Sequence, residues 1–132
     1  MSKDLLNQIF LMVVEKGLID DDFIRYLDTL FLDKSTNILE VIQRGFTKRL
    51  YIPSNRVVWA IKAKKSTKTY LIYPRIYCSC QDFYKSVVIK RKRQFCKHIL
   101  AQTICEALDS FITEKLHDDD FKLIIDETIL NM

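Results

Sequence analysis

Four side chains that bind metal ions well lie between Cys78 and His98, in a chain of 132 residues that has only four cysteines and two histidines. They form two pairs, Cys78-x-Cys80 and Cys96-x-His98, which are separated by fifteen residues. Zinc prefers four ligands in a tetrahedron, and two pairs delivered by two backbone segments supply them. Ordinary buried thiols with a core histidine are the alternative, but this grouping favours a Cys3His site for one Zn²⁺.

The sequence around each pair indicates how its ligands would be held. Cys78 and Cys80 follow a strand-like stretch, where alternation points both side chains to one side. Cys96 and His98 open a helical pattern, and the unpaired amides of a helix start favour a thiolate. Four protein ligands leave no open position on zinc, and no Gly-rich phosphate loop occurs, so neither a zinc hydrolase nor an ATPase is expected. The remaining cysteine, Cys105, is interpreted as a core residue.

The pattern of apolar residues predicts an α+β fold in a single domain, 1–132. Helical spacing predicts N-terminal helices over 1–45, with stops at Gly17 and Gly45 and an aspartate among 20–22 at the start of the second helix. The segments "KRLYI", "RVVWAIK" and "TYLIY" predict a small three-stranded antiparallel sheet, which belongs with the zinc site in 46–101. C-terminal helices are expected over 96–132, the first running from Cys96 to Phe111.

The first predicted helix contains the run "LLNQIFLMVV", which is apolar on most of its circumference. One interpretation is that part of this surface binds a partner protein, because it exceeds what a small sheet needs for cover. The other is that the helix packs wholly inside the domain. In the middle strand Val57, Trp59 and Ile61 share one face, and core packing is favoured over base stacking for such strand aromatics.

Charge is strongly partitioned along the chain. Residues 1–40 have a net charge of −4, residues 41–105 carry fifteen basic side chains against one acidic, and residues 106–132 have a net charge of −6. The basic centre indicates contact with a polyanion, although a solvated basic surface or a nuclear-localisation patch at 90–93 is an alternative. The candidate nucleic-acid-binding residues are Lys62, Lys64, Lys65, Lys68, Lys90, Arg91, Lys92 and Arg93, with Arg49 and Arg56 as further members of the surface.

No stretch approaches the ~20 apolar residues that a membrane-spanning helix needs, and the N-terminus lacks the pattern of a signal peptide. We therefore expect an intracellular protein with no membrane partner. In a reducing compartment a disulfide framework is not expected, which agrees with metal binding by the clustered cysteines.

The combination Cys78-x-Cys80 with Cys96-x-His98-x-x-Ala101 resembles a SWIM-type zinc finger, and specifically the form found in the SWIM-domain subunit of the Shu complex. The order "NILEVIQRG", "RLYI" and "VVWAIKAKKSTKTYLIYPRIYCSCQDF" is similar to that subunit's helix, strands and approach to the motif. The motif covers about a fifth of the chain, and the acidic C-terminal portion shows no resemblance. SWIM motifs also occur in transposase-related proteins, chromatin ATPases and ubiquitin-ligase-like proteins, but this chain has no room for their catalytic domains.

The resemblance implies a non-enzymatic nuclear regulator of homologous recombination. Such a subunit pairs with a RecA-like recombinase paralogue and promotes assembly of the recombinase filament on single-stranded DNA, with DNA contact made through the complex and no small-molecule substrate. It implies that Cys78, Cys80, Cys96 and His98 are the zinc ligands and that Ala101 is a small packing residue. The alternative is a stand-alone nucleic-acid-binding SWIM protein that contacts phosphates through its basic surface.

Overall fold

The computed structural model describes residues 2–30, 35–64, 67–91 and 95–121. Three of the predicted nucleic-acid-binding residues, Lys65, Lys92 and Arg93, lie outside these ranges. The greater part of the second of the C-terminal helices predicted within 96–132 also lies outside them, although residues 118–121 are helical.

Three helices form the N-terminal part of the fold: α1 (Ser2–Lys16), α2 (Asp21–Leu30) and α3 (Ser35–Arg44). The predicted stops are confirmed, because Gly17 and Gly45 have φ angles of 71° and 86°, a backbone conformation that favours glycine. The cap of α2 is Asp20, whose carboxylate accepts a hydrogen bond of 2.8 Å from the Phe23 N–H. This hydrogen bond lowers the pKa of Asp20, so the cap is charged at neutral pH.

The sheet has five strands in the order β4-β3-β2-β1-β5. These are β1 (Thr47–Ile52), β2 (Arg56–Lys62), β3 (Thr69–Tyr73), β4 (Tyr77–Cys78) and β5 (Ile112–His117). The three predicted strands are all present and antiparallel, and the sheet contains two strands more than the three that were predicted. Strand β4 adds an antiparallel edge beside β3, and β5 pairs with β1 in parallel.

The helix predicted from Cys96 to Phe111 is shorter than expected. Helix α4 spans Lys97–Ala107, and the chain then forms strand β5. Asp109 ends the helix in the left-handed conformation, with a φ angle of 56°. The N–H of Ser110 donates to the Cys105 carbonyl at 2.9 Å, and the Asp109 N–H donates to Glu106 at 3.2 Å. These bonds form a Schellman motif around an aspartate in place of the usual glycine.

The two faces of the sheet bury different residues of the same strand. Trp59 and Ile61 join the main core, as predicted, whereas Val58 and Ala60 belong to a second, smaller cluster on the other face. Helix α4 packs against both α1 and α3 and lies on the main-core side. Between β4 and α4 the chain forms a π-helical segment, Phe83–Ile89. The main core therefore joins the N-terminal helices, the sheet and the segment that carries the ligand pairs.

Candidate metal centre

The structure brings all four predicted zinc ligands together. The ligand atoms of Cys78, Cys80, Cys96 and His98 lie within 4.8 Å of one another, and all four residues are buried. Cys96 is fully buried and His98, the most exposed of the four, retains 5% of its accessible surface. Two pairs from separate backbone segments thus form one compact set of sulfur and nitrogen donors.

The first pair of ligands is held by the edge of the sheet. Cys78 is the last residue of β4 and lies opposite Ile72 of β3. Ser79 continues this pairing, since its N–H donates to the Leu71 carbonyl at 3.0 Å and its hydroxyl accepts from the Leu71 N–H at 2.9 Å. Cys80 is then fixed from the other side by the Phe83 N–H, which donates to its Sγ at 3.3 Å. Hydrogen bonds from the backbone therefore hold both residues of this pair at the edge of the sheet.

The second pair of ligands lies at the start of α4. Cys96 precedes the helix with extended backbone angles, and His98 is the second helical residue. Cys96 Sγ and His98 Nδ1 are 4.0 Å apart, which shows that Nδ1 faces the sulfurs. The His98 ring packs against Tyr70 of β3 with 5.2 Å between ring centroids. Ala101, three residues further, is fully buried in the main core, as expected of a small packing residue.

The three sulfurs influence one another's protonation. A hydrogen bond from Cys78, followed in size by one from Cys96, holds the pKa of Cys80 well below its ordinary value. The same hydrogen bond raises the pKa of Cys78, and burial raises the pKa of Cys96. Burial and the hydrogen bonds among the sulfurs thus oppose ionisation of Cys78 and Cys96. A divalent cation supplies the positive charge that favours three thiolates at once.

The donor set fits zinc. A tetrahedral Zn²⁺ with Zn–S bonds of about 2.3 Å and a Zn–N bond of about 2.0 Å separates its ligand atoms by roughly 3.5–3.8 Å. The observed separation of 4.0 Å between Cys96 Sγ and His98 Nδ1 is close to that value. Three thiolates and one imidazole are a common ligand set of structural zinc, and all four residues are buried.

The residues around the ligands were not predicted from the sequence. Ser79 was only the spacer of the Cys-x-Cys pair, yet it extends β3 pairing through its backbone and its hydroxyl. Phe83 and Tyr70 support one ligand each through an N–H and a ring. The position of Ser79, a small polar residue between two cysteines at the end of a strand, was the one signal in the sequence for such a supporting residue. The contacts of Phe83 and Tyr70 could not be predicted, because they depend on the folded geometry.

The predicted nucleic-acid-binding residues fall into two groups. Lys62, Lys64 and Lys68 lie at the connection between β2 and β3, where Lys64 Nζ approaches Glu40 to 3.9 Å. Lys90 and Arg91 are exposed and follow the π-helical segment. Arg56 lies at the opposite end of β2 from Lys62, with its guanidinium 4.3 Å from the centroid of the Phe121 ring. The basic centre of the sequence is therefore distributed over several elements.

The site is formed by a Cys-x-Cys pair at the edge of the sheet and a Cys-x-His pair at the start of a helix, with the small residue Ala101 buried three residues after the histidine. This arrangement defines a SWIM-type zinc-finger protein. Comparison with known proteins agrees. The chain is 31% identical over 107 residues to the human Zinc finger SWIM domain-containing protein 7, an alignment that covers 80% of this chain and 76% of the human protein. This chain belongs to the family of Zinc finger SWIM domain-containing protein 7 and binds one Zn²⁺ at this site.

Two further relatives carry the same description. The mouse protein is 29% identical over 122 residues, which cover 92% of this chain and 78% of the mouse protein. The homologue from Dictyostelium discoideum is 28% identical over 85 residues, covering 64% of this chain and 54% of its own length. No protein-family model matches the chain, and no solved structure matches it with statistical significance. Within the described ranges, no helix has the length and apolar character required to cross a membrane.

Proposed function

We propose that this protein is a non-enzymatic, zinc-binding subunit of a Shu-like recombination-mediator complex in the nucleus. In this function it pairs with a RecA-like recombinase paralogue and promotes assembly of the recombinase filament on single-stranded DNA. The resemblance of the motif and of the preceding strands to the Shu-complex subunit supports a role in homologous recombination. One structural observation supports the role of a binding subunit, namely the exposed apolar surface of helix α1.

Helix α1 is apolar on two sides. Leu6, Ile9 and Val13 are buried in the main core, which accounts for one face. Leu11, Val14 and Leu18 form a second set, the α1 stripe, with exposed fractions of 63%, 50% and 54%. Leu18 lies two residues beyond the last residue of the helix. Leu11 and Val14 lie one turn apart on the helix, and exposed apolar side chains grouped in this way are typical of surfaces that bind other proteins.

The turn between β3 and β4 lies against helix α1 and carries a further exposed apolar side chain. The guanidinium of Arg75 lies 5.3 Å from the centroid of the Phe10 ring, which brings the turn between β3 and β4 against α1. Ile76, the next residue of that turn, is 67% exposed. The turn leads directly into Cys78 of the zinc site. A partner that binds the stripe and Ile76 would therefore contact a surface whose position depends on the zinc site.

The partner surface is tested by co-purification from cells that carry a tagged copy of the chain. We expect a RecA-like paralogue to co-purify with the wild-type protein and to be lost from the Val14→Lys variant. Val88→Lys is the matched control, because Val88 lies outside the stripe and is also 50% exposed. Recovery of the paralogue at wild-type levels with Val14→Lys would contradict the role of the α1 stripe. Failure of any RecA-like protein to co-purify with the wild-type chain would contradict the proposed function.

The second candidate function is stand-alone binding to nucleic acid. Exposed Lys90 and Arg91, beside the zinc site in sequence, are the observation that favours it. A phosphate-binding surface without base recognition gives an affinity that falls steeply with salt. Replacing the four residues 90–93 with serine should leave zinc content unchanged and should reduce both the affinity for single-stranded DNA and its salt dependence. Tight binding by the purified chain without a partner would favour this function, and loss of nuclear import alone would favour a targeting signal.

A further inference from the structure

Strand β5 forms an open edge of the sheet. The strand order is β4-β3-β2-β1-β5, so the described ranges place a strand on only one side of β5. The opposite edge, β4, is two residues long (Tyr77–Cys78), whereas β5 has six residues (Ile112–His117). An edge strand presents a row of backbone N–H and C=O groups that can pair with a strand of another chain.

The pairing with β1 shows which backbone groups of β5 face outward. The Ile112 N–H donates to the Phe46 carbonyl at 3.1 Å, and the two strands are parallel with Thr47 opposite Ile112. Successive residues of a strand direct their backbone groups to alternate sides. The residues that bond to β1 are therefore Ile112, Glu114 and Leu116. The residues whose N–H and C=O groups point to the open side are Thr113, Lys115 and His117.

The edge of β5 is accessible. Leu116 is half-buried, and the other five residues of the strand are exposed. Ile112 has an exposed fraction of 71%, the largest of any bulky apolar side chain in the described ranges. Sheets commonly protect an edge with a proline, a bulge or a covering element, but β5 contains no proline and pairs with β1 without a bulge. The charges of Glu114 and Lys115 are the protection that the strand itself carries.

These two charges lie on different faces of the sheet. Side chains alternate along a strand, so Glu114 lies on the face of the smaller cluster together with Leu116, and Lys115 lies on the main-core face. Opposite charges on neighbouring strands are stabilising, as are apolar pairs. An added strand is therefore favoured by an acidic side chain beside Lys115, a basic one beside Glu114 and an apolar one beside Ile112.

A second copy of this chain does not match that pattern. When two identical strands pair in antiparallel orientation about a two-fold axis, residues on the same face lie opposite each other. In the two registers that pair most of β5 with its copy, either Glu114 lies opposite Glu114 or Lys115 lies opposite Lys115. Like charges directly opposite each other are destabilising. The charges of the edge therefore favour a strand from a different protein.

We propose that β5 binds an extended segment of another protein, which joins the sheet as a further strand. The segment lies antiparallel to β5, the more stable orientation per residue, and bonds to the outward backbone groups of the strand. Its acidic residue lies opposite Lys115 and its basic residue opposite Glu114. This surface is separate from the zinc ligands and from the α1 stripe, so the proposal holds or fails independently of the proposed pairing with a recombinase paralogue.

The test titrates the isotope-labelled, zinc-loaded full chain with the peptide TVEKTVT and follows its backbone amide signals by NMR. In antiparallel orientation this peptide places its glutamate opposite Lys115 and its lysine opposite Glu114. The matched control is TVKETVT, which has the same composition with the two charged residues exchanged. We expect TVEKTVT to bind about tenfold more tightly, because two opposite-charge pairs replace two like-charge pairs. The amide signals that shift most should be those of Thr113, Lys115 and His117.

Two variants separate strand addition from other modes of binding. Glu114→Lys combined with Lys115→Glu should reverse the preference between the two peptides, a result that a change in stability alone cannot produce. Thr113→Pro removes an outward N–H without breaking a bond to β1 and should weaken binding severalfold, whereas Thr113→Val should not. Zinc content and thermal unfolding verify the fold of each variant. If these variants do not fold, TVEKTVT methylated on its backbone nitrogens is used with the wild-type chain, and loss of binding is expected.

Four results would overturn the proposal. Equal binding of the two peptides would remove the role of the charges, and no binding of either would remove the site. Amide shifts that do not alternate along β5 would show that no strand is added. Shifts that depend on the concentration of the chain itself, without peptide, would show that a second copy occupies the edge.

Discussion

Cys96 Sγ lies 4.0 Å from His98 Nδ1, although Cys96 precedes helix α4 and His98 lies within its first turn. The two remaining ligands come from the end of β4 and the residues that follow it. Zinc therefore joins the start of α4 to the edge of the sheet. Because α4 packs against both α1 and α3, the metal influences the position of surfaces that contain no ligand.

Cys96→Ser should reduce zinc from one ion per chain to a small fraction. Metal-binding free energy in structural sites is also folding free energy, on the order of 10 kcal/mol in small zinc domains. We therefore expect the free energy of unfolding to fall by at least ~3 kcal/mol. Metal analysis and thermal unfolding measure both effects, and a stable wild-type protein that contains no zinc would refute the site.

Cys105 provides the control for that substitution. It is as fully buried as Cys96, and burial raises its pKa to about 12, but it lies outside the ligand cluster. Cys105→Ala should keep full zinc content and lower the free energy of unfolding by only ~1–2 kcal/mol, as expected for a small cavity. Because the thiol stays protonated at pH 8, Cys105 should not react with a thiol reagent in the folded protein. Zinc loss from this variant would show that Cys105 takes part in the site.

His98→Ala should abolish partner binding even though His98 is buried and distant from the α1 stripe in sequence. Loss of the ligand removes zinc and loosens the start of α4. Ala101→Leu should keep the zinc and overpack the buried first turns of α4, at a cost of ~1–3 kcal/mol, and should weaken partner binding more mildly. Pull-down and metal content are measured together on both variants. A His98→Ala protein that lost zinc but bound its partner normally would show that the partner-binding surface does not depend on the zinc site.

Zinc affinity should rise with pH. Burial raises the pKa of Cys96 and the hydrogen bond to Cys80 raises that of Cys78, so both thiols are protonated at neutral pH when no metal is bound. Zinc binds thiolates, and its binding must release these protons. Affinity is therefore expected to fall as the pH falls, with metal release on acidification. Titration with a zinc-sensitive dye between pH 5 and 8 measures the trend, and a flat profile would contradict it.

Asp109→Gly should stabilise the protein. Asp109 has a φ angle of 56° at the end of α4, a conformation that costs roughly 1–2 kcal/mol for a residue with a Cβ and little for glycine. We expect the free energy of unfolding to rise by ~0.5–1 kcal/mol, since glycine also increases the entropy of the unfolded chain. Asp109→Val should destabilise, because a β-branched residue is strained there. Denaturant unfolding compares the three proteins, and the reverse order would contradict the described helix end.

The zinc ligands and the central strands were predictable because their signals are local. Cys78-x-Cys80 and Cys96-x-His98 each need only one backbone segment, and period-two alternation around Trp59 identified the buried face of β2. The helix stops at Gly17 and Gly45 were visible for the same reason. Each of these features depends on a few consecutive residues, and each of these local patterns is typical of one kind of structure.

Strand β5 was not predictable, because it pairs with a strand that is distant in the sequence and because the residues before it have the apolar spacing of a helix. Its parallel pairing with β1 joins Thr47 to Ile112 and is not visible in either segment alone. No glycine or proline occurs at the end of α4 near Asp109. The helical spacing of apolar residues also continues to Phe111, so the sequence predicts a helix that is longer than the observed one.

X-ray absorption at the zinc edge of the purified protein tests the central claim most directly, because it counts the ligands of the metal itself. We expect three sulfur ligands at about 2.3 Å, one nitrogen at about 2.0 Å and no oxygen ligand. That result would establish a closed Cys3His site formed by Cys78, Cys80, Cys96 and His98. Two or fewer sulfurs, or a bound water that leaves an open coordination position, would contradict it.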